Sequence, residues 1–450
     1  MKLKTNLLAL TCMLFLFASC DDVETEIVPD DDTTTEVTGD TNEEATDDYT
    51  FDSNITYIVL KQTSIAVTGS GVTTAGAVAT ITASGTYSVS GSLTDGQLVV
   101  AAAASDKVKI MLNGANIVSS ANAPLYVKSA DKVVLYLAPG TENSLADGSA
   151  NELDGTLYSA TKLSVWGTGA LTVTGNADGG MVSEGGMILK DGVYEITAAE
   201  STIKSNKNLV VDGGTFTLAA GNDGIHGEES LTLNGGNILI TKSEEGVESA
   251  EITINEGTSI QLTSTDDGLN ASSGDDTSEN HFYMNGGYLY INAAGDGIDS
   301  NGYIEMKGGV VVVNGPTQNG NGAIDYDRTF NISGGLLVAV GSSGMAQAPS
   351  QSSTQNSVKV NLSSTKSANQ LVHVQDNSGN NILTFSPAKN YQSLIFSSPS
   401  LVKNTSYSVY VGGSSTGTPT NGLYESGTYT AGTPSGSFTV SGTVTNLNGN

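Results

Sequence analysis

One unit recurs along the middle of the chain, and it leaves few folds open. Its clearest copy runs from Phe282 to Gly302 as two short alternating segments, a glycine pair at Gly286-Gly287 and an acidic turn, Asp296-Gly297-Ile298-Asp299. Copies follow at Leu209–Asn222, Leu231–Ser243, Ile252–Thr265, Ile304–Asn314 and Phe330–Gly341, with a looser one at Met187–Ala198. The second glycines of the corners, or their equivalents, are Gly192, Gly214, Gly236, Gly257, Gly287, Gly309 and Gly335, spaced 22, 22, 21, 30, 22 and 26 apart. The step of 30 contains an insertion, Ser272–Asn280. A period near 22 built from strands marks a β-solenoid, and it is too short for a propeller blade of about 40 residues.

Alternation of period two places residues i and i+2 on one face of a strand. The inward pairs before the corner are then Leu231/Leu233, Ile252/Ile254, Phe282/Met284, Ile304/Met306 and Phe330/Ile332. Those after it are Phe216/Leu218, Ile238/Ile240, Ile260/Leu262, Leu289/Ile291 and Val311/Val313. A third inward position falls in the acidic turn, at Ile225, Val247, Leu269, Ile298 and Ile324. Three inward faces per unit predict an all-β, parallel β-helix of roughly triangular section, right-handed by the general chirality of parallel crossovers. Residues 51–346 are assigned to it, with strands in the less regular opening at Thr80–Gly91, Val108–Gly114, Lys132–Leu137, Leu163–Gly167 and Ala170–Gly175.

The flanks read differently. Lys2 and Lys4 precede an apolar run, Leu7–Phe17, too short to span a bilayer, so residues 1–20 read as a signal peptide. Its end, Phe17-Ala18-Ser19-Cys20, resembles a bacterial lipobox, which makes Cys20 the expected lipidation site and the chain a surface or outer-membrane lipoprotein. Residues 21–50 hold thirteen acids and no base, the composition of an extended, self-repelling tether. Setting aside those acids and the two leader lysines leaves 34 acids against 16 bases, a net of −18. That balance, with Arg328 the one arginine and no basic run along the chain, argues against a nucleic-acid partner. The polar stretch 347–357 reads as a linker. Residues 358–450 read as a small β-domain with strands at Leu371–Gln375, Ile382–Phe385, Leu394–Phe396, Tyr407–Val411 and Phe438–Val444.

The acidic turns align as two columns. Asp223, Glu245, Asp267 and Asp296 form one; His226, Glu248, Asn270, Asp299 and Asp325 form the other. Stacked strands lie about 4.8 Å apart, and like charges at that spacing repel by roughly 1 kcal/mol in water and more when shielded from it. No lysine or arginine lies in these turns. Calcium, which takes six to eight oxygen ligands, resolves the conflict. The expected ligands are Asp223, Glu245, Glu248, Asp266, Asp267, Asn270, Asp296, Asp299 and Asp325, with Asp267, Asp296 and Asp299 foremost. The Asp-Gly pairs also suit tight turns on their own account, and His226 reads as a hydrogen-bonded turn residue. Tyr283, Tyr288 and Tyr290 alternate with core residues and point outward; with Tyr303 and Tyr326 they are expected to form an exposed aromatic strip on which sugar rings stack.

The run Asp-Gly-Ile-Asp-Ser-Asn-Gly (296–302), with Gly308-Gly309, Asn-Gly-Pro (314–316), Gly-Ala-Ile-Asp-Tyr-Asp (322–327) and Gly-Ser-Ser-Gly-Met-Ala (341–346), resembles a bacterial family of secreted carbohydrate-binding proteins. The likeness runs from about residue 80 to the C-terminus. It implies a right-handed parallel β-helix like that of polysaccharide lyases, binding of cellulose-type and polygalacturonate-type polysaccharides, and calcium at Asp267, Asp296, Asp299 and Asp325. His226 and Gly322 depart from the acidic pattern.

The function expected is therefore a monomeric, non-catalytic, calcium-dependent polysaccharide-binding lipoprotein that meets the membrane through its lipid alone. A calcium-dependent polysaccharide lyase is the alternative. It needs a Lys or Arg base, for which Lys204, Lys207, Lys242, Lys307 and Arg328 are available, but none sits in a recognisable motif and nearby carboxylates raise a lysine's pKa. An adhesin or spacer without a glycan ligand is the third reading.

Overall fold

The computed structural model describes residues 49–50, 53–273 and 279–450. The described residues form strands, turns and loops without a helix. The body is a β-solenoid of about 10 turns with about 24 residues per turn. The excess over 22 comes from the wider steps of 30 and 26 and from the opening coils, whose strands Gly85–Leu93 and Lys107–Ser119 are longer than any in the middle of the solenoid.

Each regular coil contributes one strand to each of three faces. The first face contains Ser230–Leu233, Glu251–Ile254, His281–Met284, Tyr303–Met306 and Thr329–Ile332. The second contains Gly236–Lys242, Thr258–Ser264, Tyr288–Ala293, Val310–Asn314 and Leu336–Gly341. The third uses three-residue strands, Ile225–Gly227, Val247–Ser249, Leu269–Ala271 and Ile298–Ser300, within an 11-stranded sheet. Identical positions stack in parallel register. Leu231, Ile252, Phe282, Ile304 and Phe330 form one interior column, and Ile225, Val247, Leu269 and Ile298 another. All nine are buried in a single continuous core. A corner glycine is required where the coils stack closely: Gly309 has φ +79°, and a Cβ there would lie 2.7 Å from the Gly287 carbonyl oxygen.

Both ends of the column are closed. At the start, Ile55–Gln62 folds back antiparallel on Ser64–Thr68 and pairs in parallel with Gly85–Leu93, while Val72–Ala75 and Val78–Ile81 form a hairpin on the third face. The tether assigned to 21–50 ends earlier than read: Tyr49 packs edge-on against Trp166 at 5.5 Å, and the Thr50 carbonyl accepts a hydrogen bond from Lys109 Nζ at 2.7 Å. Cys20, the signal peptide and the tether up to residue 48 lie outside the described residues.

At the far end the stretch 347–357, read as a linker, runs along the last coil instead. Ser350 Oγ and Ser353 Oγ accept the backbone N–H groups of Phe330 and Ile332, and the backbone N–H groups of Ser350 and Thr354 donate to the carbonyls of the same two residues. These bonds satisfy the exposed edge of the first face. The C-terminal strands then continue the second face. Leu336–Gly341 pairs antiparallel with Tyr391–Ser397, which pairs with Ser357–Lys366, which pairs in parallel with Val444–Gly449. A four-stranded sheet of Asn381–Phe385, Val372–Asp376, Ser406–Val411 and Thr433–Thr439 completes this unit.

Stacking also creates a cluster that linear inspection cannot show. Lys107, Lys132 and Lys162 stand side by side on the first face, and Tyr136 and Trp166 do so four residues on, their rings 4.3 Å apart. Lysines 25 and 30 residues apart make no basic run in sequence, yet register brings them into one column.

Candidate metal centre and glycan face

The third-face strands place Ile225, Val247, Leu269 and Ile298 inward, so the next residues stack on the outside in the order His226, Glu248, Asn270, Asp299. Before each strand the turn is fixed by backbone bonds between coils: Gly224 N–H donates to Glu245, Gly246 to Asp267, Gly268 to Asp296 and Gly297 to Gly322. The predicted ligands are thus held in line, but they divide into two clusters rather than one ladder.

In the first cluster Asp223, His226 and Glu248 come together. His226 Nδ1 lies 3.1 Å from Asp223 Oδ2 and 2.8 Å from Glu248 Oε2, and Nε2 lies 3.2 Å from Glu228 Oε2. Burial opposes protonation of this ring, but the hydrogen bonds and charges of Asp223 and Glu248 outweigh it and push its pKa up to about 10. The imidazolium is therefore the cation of this cluster, and it pairs with two of the expected calcium ligands, Asp223 and Glu248.

The second cluster has no such internal cation. Carboxylate oxygens of Asp267, Asp296 and Asp299 all lie within 4.8 Å of one another. Asp267 Oδ1 accepts the Asp296 N–H at 2.6 Å, and Asp296 Oδ1 accepts the Gly322 N–H, which fixes both carboxylates against the backbone. Burial, reinforced by mutual repulsion, lifts Asp267 to about 7 and Asp296 and Asp299 to about 6. Beside them the buried Asn270 Oδ1 has no hydrogen-bond partner, while its Nδ2 donates to Glu245 Oε2 at 3.0 Å. Glu245 is itself raised to about 7, chiefly by burial. Three crowded carboxylates and an unsatisfied amide oxygen form a donor set of the kind a hard cation takes.

The other expected ligands stand at the margin. The Oδ1 atoms of Asp266 and Asp267 flank Gly295 so closely that a Cβ there would come within 2.3 and 2.4 Å of them. Asp325 Oδ1 accepts the Tyr326 N–H at 2.9 Å and is also bonded by Gln347 Nε2, so it is engaged elsewhere.

The expected tyrosine strip does not form as one surface. The Gly286-Gly287 corner turns the chain between Tyr283 and Tyr288, which puts Tyr283 and Tyr303 on the first face and Tyr288 and Tyr290 on the second. The second-face pair is occupied: Tyr288 Oη accepts Asn421 Nδ2 at 2.9 Å, and Tyr290 packs against the core of the C-terminal unit. Tyr326 is also engaged, its hydroxyl donating to the Ala348 carbonyl at 2.7 Å and its ring meeting Phe330 edge-on. What remains is a smaller shelf with a member the sequence reading missed. His281 stacks with Tyr303 at 4.9 Å and 15° and with Tyr283 at 5.4 Å and 3°. Its position in register with Tyr303, two residues before Tyr283, was the available signal. Glu251 and Glu305 border the shelf; burial and then these two charges and Glu279 push Tyr283 up to about 12.

The bases available to a lyase are poorly set for that role. Lys207 is bonded to Glu229, which raises its pKa, and Lys307 Nζ lies 3.9 Å from Glu305 Oε2.

The family described as carbohydrate-binding domain-containing protein matches residues 75–232 and 219–384. A carbohydrate-binding domain-containing protein of Acetivibrio thermocellus is 32% identical over 133 residues, which cover 28% of this chain and 44% of that protein. The chain thus spans under half the length of that relative. A solved structure, the polysaccharide lyase-like protein from C. thermocellum as a gadolinium derivative, is similar at 21% identity with a TM-score of 0.43, covering 65% of this chain and 98% of that one. The two family matches together run from residue 75 to 384, through the regular coils, the acidic turns and into the C-terminal unit, and on that extent the chain belongs to the carbohydrate-binding domain-containing protein family.

Proposed function

We propose that the protein is a non-catalytic, calcium-dependent polysaccharide-binding lipoprotein of the cell surface or outer membrane, anchored through Cys20. The observation that carries the calcium part is the Asp267–Asp296–Asp299 cluster, whose oxygens converge without a cationic side chain between them. Family membership supports a glycan ligand. A uronate polymer meets a body of net −18, so the bound calcium serves as its bridge. Neutral glucans need no bridge and lie on the His281–Tyr283–Tyr303 shelf. The test is retention of the full chain on polygalacturonate and on insoluble glucan, each in calcium and in chelator. Retention on polygalacturonate that disappears in chelator is expected; retention on no glycan in either buffer would overturn the proposal.

Replacing both Tyr283 and Tyr303 by alanine removes two stacking faces. At about 0.5–1.5 kcal/mol for each aromatic contact, glucan affinity is expected to fall by about five- to 150-fold. Calcium-dependent stabilisation is expected to stay as in the unaltered chain. Glucan isotherms superimposable on those of the unaltered chain would exclude the shelf.

The carboxylate pKa values fix a pH dependence. Asp267, Asp296 and Asp299 are raised in the fold, so the cation-free protein binds more protons than its unfolded chain. Its stability from these groups is greatest near pH 4 and declines as pH rises through 6 to 7. Calcium displaces those protons and removes the penalty. The thermal shift produced by calcium is thus expected to be small at pH 5 and to reach its plateau by pH 8. Melting curves at four pH values with and without calcium measure it; a shift of constant size across the range would contradict the assignment. His226 acts in the same direction over a higher pH range. Its raised pKa stabilises the fold fully below about 6.5 and is lost as pH climbs toward 10.

A further inference from the structure

Upstream of the acidic clusters the third face carries a second surface of different chemistry. Register places Tyr126, Tyr158, Val182 and Lys204 in one outward column. Three steps of about 4.8 Å make it about 14 Å long. The Tyr126 and Tyr158 rings lie 5.9 Å apart at 48° and are half-buried, so each keeps an accessible part. Tyr158 does not swing freely: its hydroxyl donates to Glu184 Oε1 at 3.2 Å, and Asn206 Nδ2 donates to Glu184 Oε2 at 2.7 Å. Past Val182 the column opens into a cavity of about 230 Å³ lined by Asp154, Asp178, Glu200, Lys204, Asn206 and Asn222. The aromatic pair thus shares a face with a recess that offers carboxylate acceptors together with ammonium and amide donors, the buried Val182 standing between them.

From this juxtaposition we infer that the third face is a second glycan site, which binds a single chain of neutral, hydroxyl-rich polysaccharide along the solenoid axis, pyranose rings on Tyr126 and Tyr158 and sugar hydroxyls in the recess. The charge balance selects the ligand class. Three carboxylates against one ammonium repel a uronate, whereas sugar hydroxyls donate to carboxylates and accept from Lys204, Asn206 and Asn222. The pre-fixed Tyr158 ring lowers the ordering cost of binding. The inference rests on the reading that the chain binds glycans, but it differs from the calcium-bridged mode in needing no metal.

The experiment is titration calorimetry on the full chain in chelator, with a soluble neutral glucan oligosaccharide and with an oligogalacturonate. Binding of the neutral oligosaccharide alone is expected. Tyr126→Ala/Tyr158→Ala is expected to weaken it at least tenfold, Lys204→Met severalfold and Tyr158→Phe little, because the last keeps the ring. Tyr283→Ala/Tyr303→Ala leaves this component in place. If the Tyr126→Ala/Tyr158→Ala protein is misfolded by circular dichroism, Lys204→Met decides. Unchanged affinity in folded Tyr126→Ala/Tyr158→Ala or in Lys204→Met overturns the groove while the proposed function stands. Absence of binding to every glycan, with and without calcium, defeats both.

Discussion

Asp296→Asn combined with Asp299→Asn is expected to abolish the calcium response while leaving the fold in place. The two carboxylates share one cluster with Asp267, and asparagine preserves their volume and the acceptor that receives the Gly322 N–H. Stabilisation by a ligand follows its concentration over Kd, about 2.7 kcal/mol at a hundredfold excess, so the unaltered chain should melt measurably later in saturating calcium. The variant should not. In chelator the order is expected to reverse. Both aspartates are raised by burial and by neighbouring carboxylates, so neutralising them relieves a penalty that only a cation relieves in the native sequence. Asp223→Asn is the control. It removes a partner of His226 and should lower stability near neutral pH, yet leave the calcium shift intact because that cluster already holds a cation, its own imidazolium. A calcium shift of equal size in the double variant would remove the cluster from consideration, and an equal loss in Asp223→Asn would show that the two clusters act as one.

The contrast between these clusters shows what sequence periodicity can and cannot convey. The interior columns were legible because each inward position recurs every 22 residues or so, and a parallel register turns recurrence in sequence directly into stacking in space. The alignment of the acidic turns was legible for the same reason. Their division was not, since it depends on whether the neighbour one coil away is a histidine, as at His226, or an unsatisfied amide, as at Asn270. The tyrosines failed for a geometric reason. Alternation tells inside from outside but not one face from the next, and the corner at Gly286-Gly287 lies between Tyr283 and Tyr288. The opening coils hid the Tyr126–Tyr158 pair and the Lys107–Lys132–Lys162 column because their spacings of 32, 25 and 30 fall off the period.

A chain ending at residue 346 is expected to be insoluble or aggregated, in contrast to what two independent domains would give. The outward side chains of the last coils are apolar where the earlier ones are mostly polar: Val312, Val338 and Val340 are buried within the core of the C-terminal unit, with Tyr290, Val310 and Leu336 packed at its border. Truncation exposes that patch and strips Leu336–Gly341 of its partner strand Tyr391–Ser397, leaving a long apolar edge open to pairing with other chains. It also removes a second layer of attachment, in which Lys389 Nζ donates to the Ala293 carbonyl and the Ala388 N–H donates to Asn314 Oδ1 at 2.8 Å. Burial alone lowers Lys389 to about 8, so this contact sits away from any compensating carboxylate and weakens as pH rises past that value. Ala293 precedes the acidic turn by only a few residues, which ties the C-terminal unit mechanically to the coil that carries Asp296. The single substitution Val338→Asp makes the same point with the chain intact. It places an unpaired carboxylate at a fully buried position, a change expected to cost several kcal/mol. Soluble yield, light scattering and the melting midpoint measure both variants. A soluble, monomeric 51–346 fragment with an undiminished calcium shift would mean that the solenoid closes on its own and that the C-terminal unit is an appendage, whereas aggregation with recovery on adding residues 347–450 makes that unit the structural end of the β-helix.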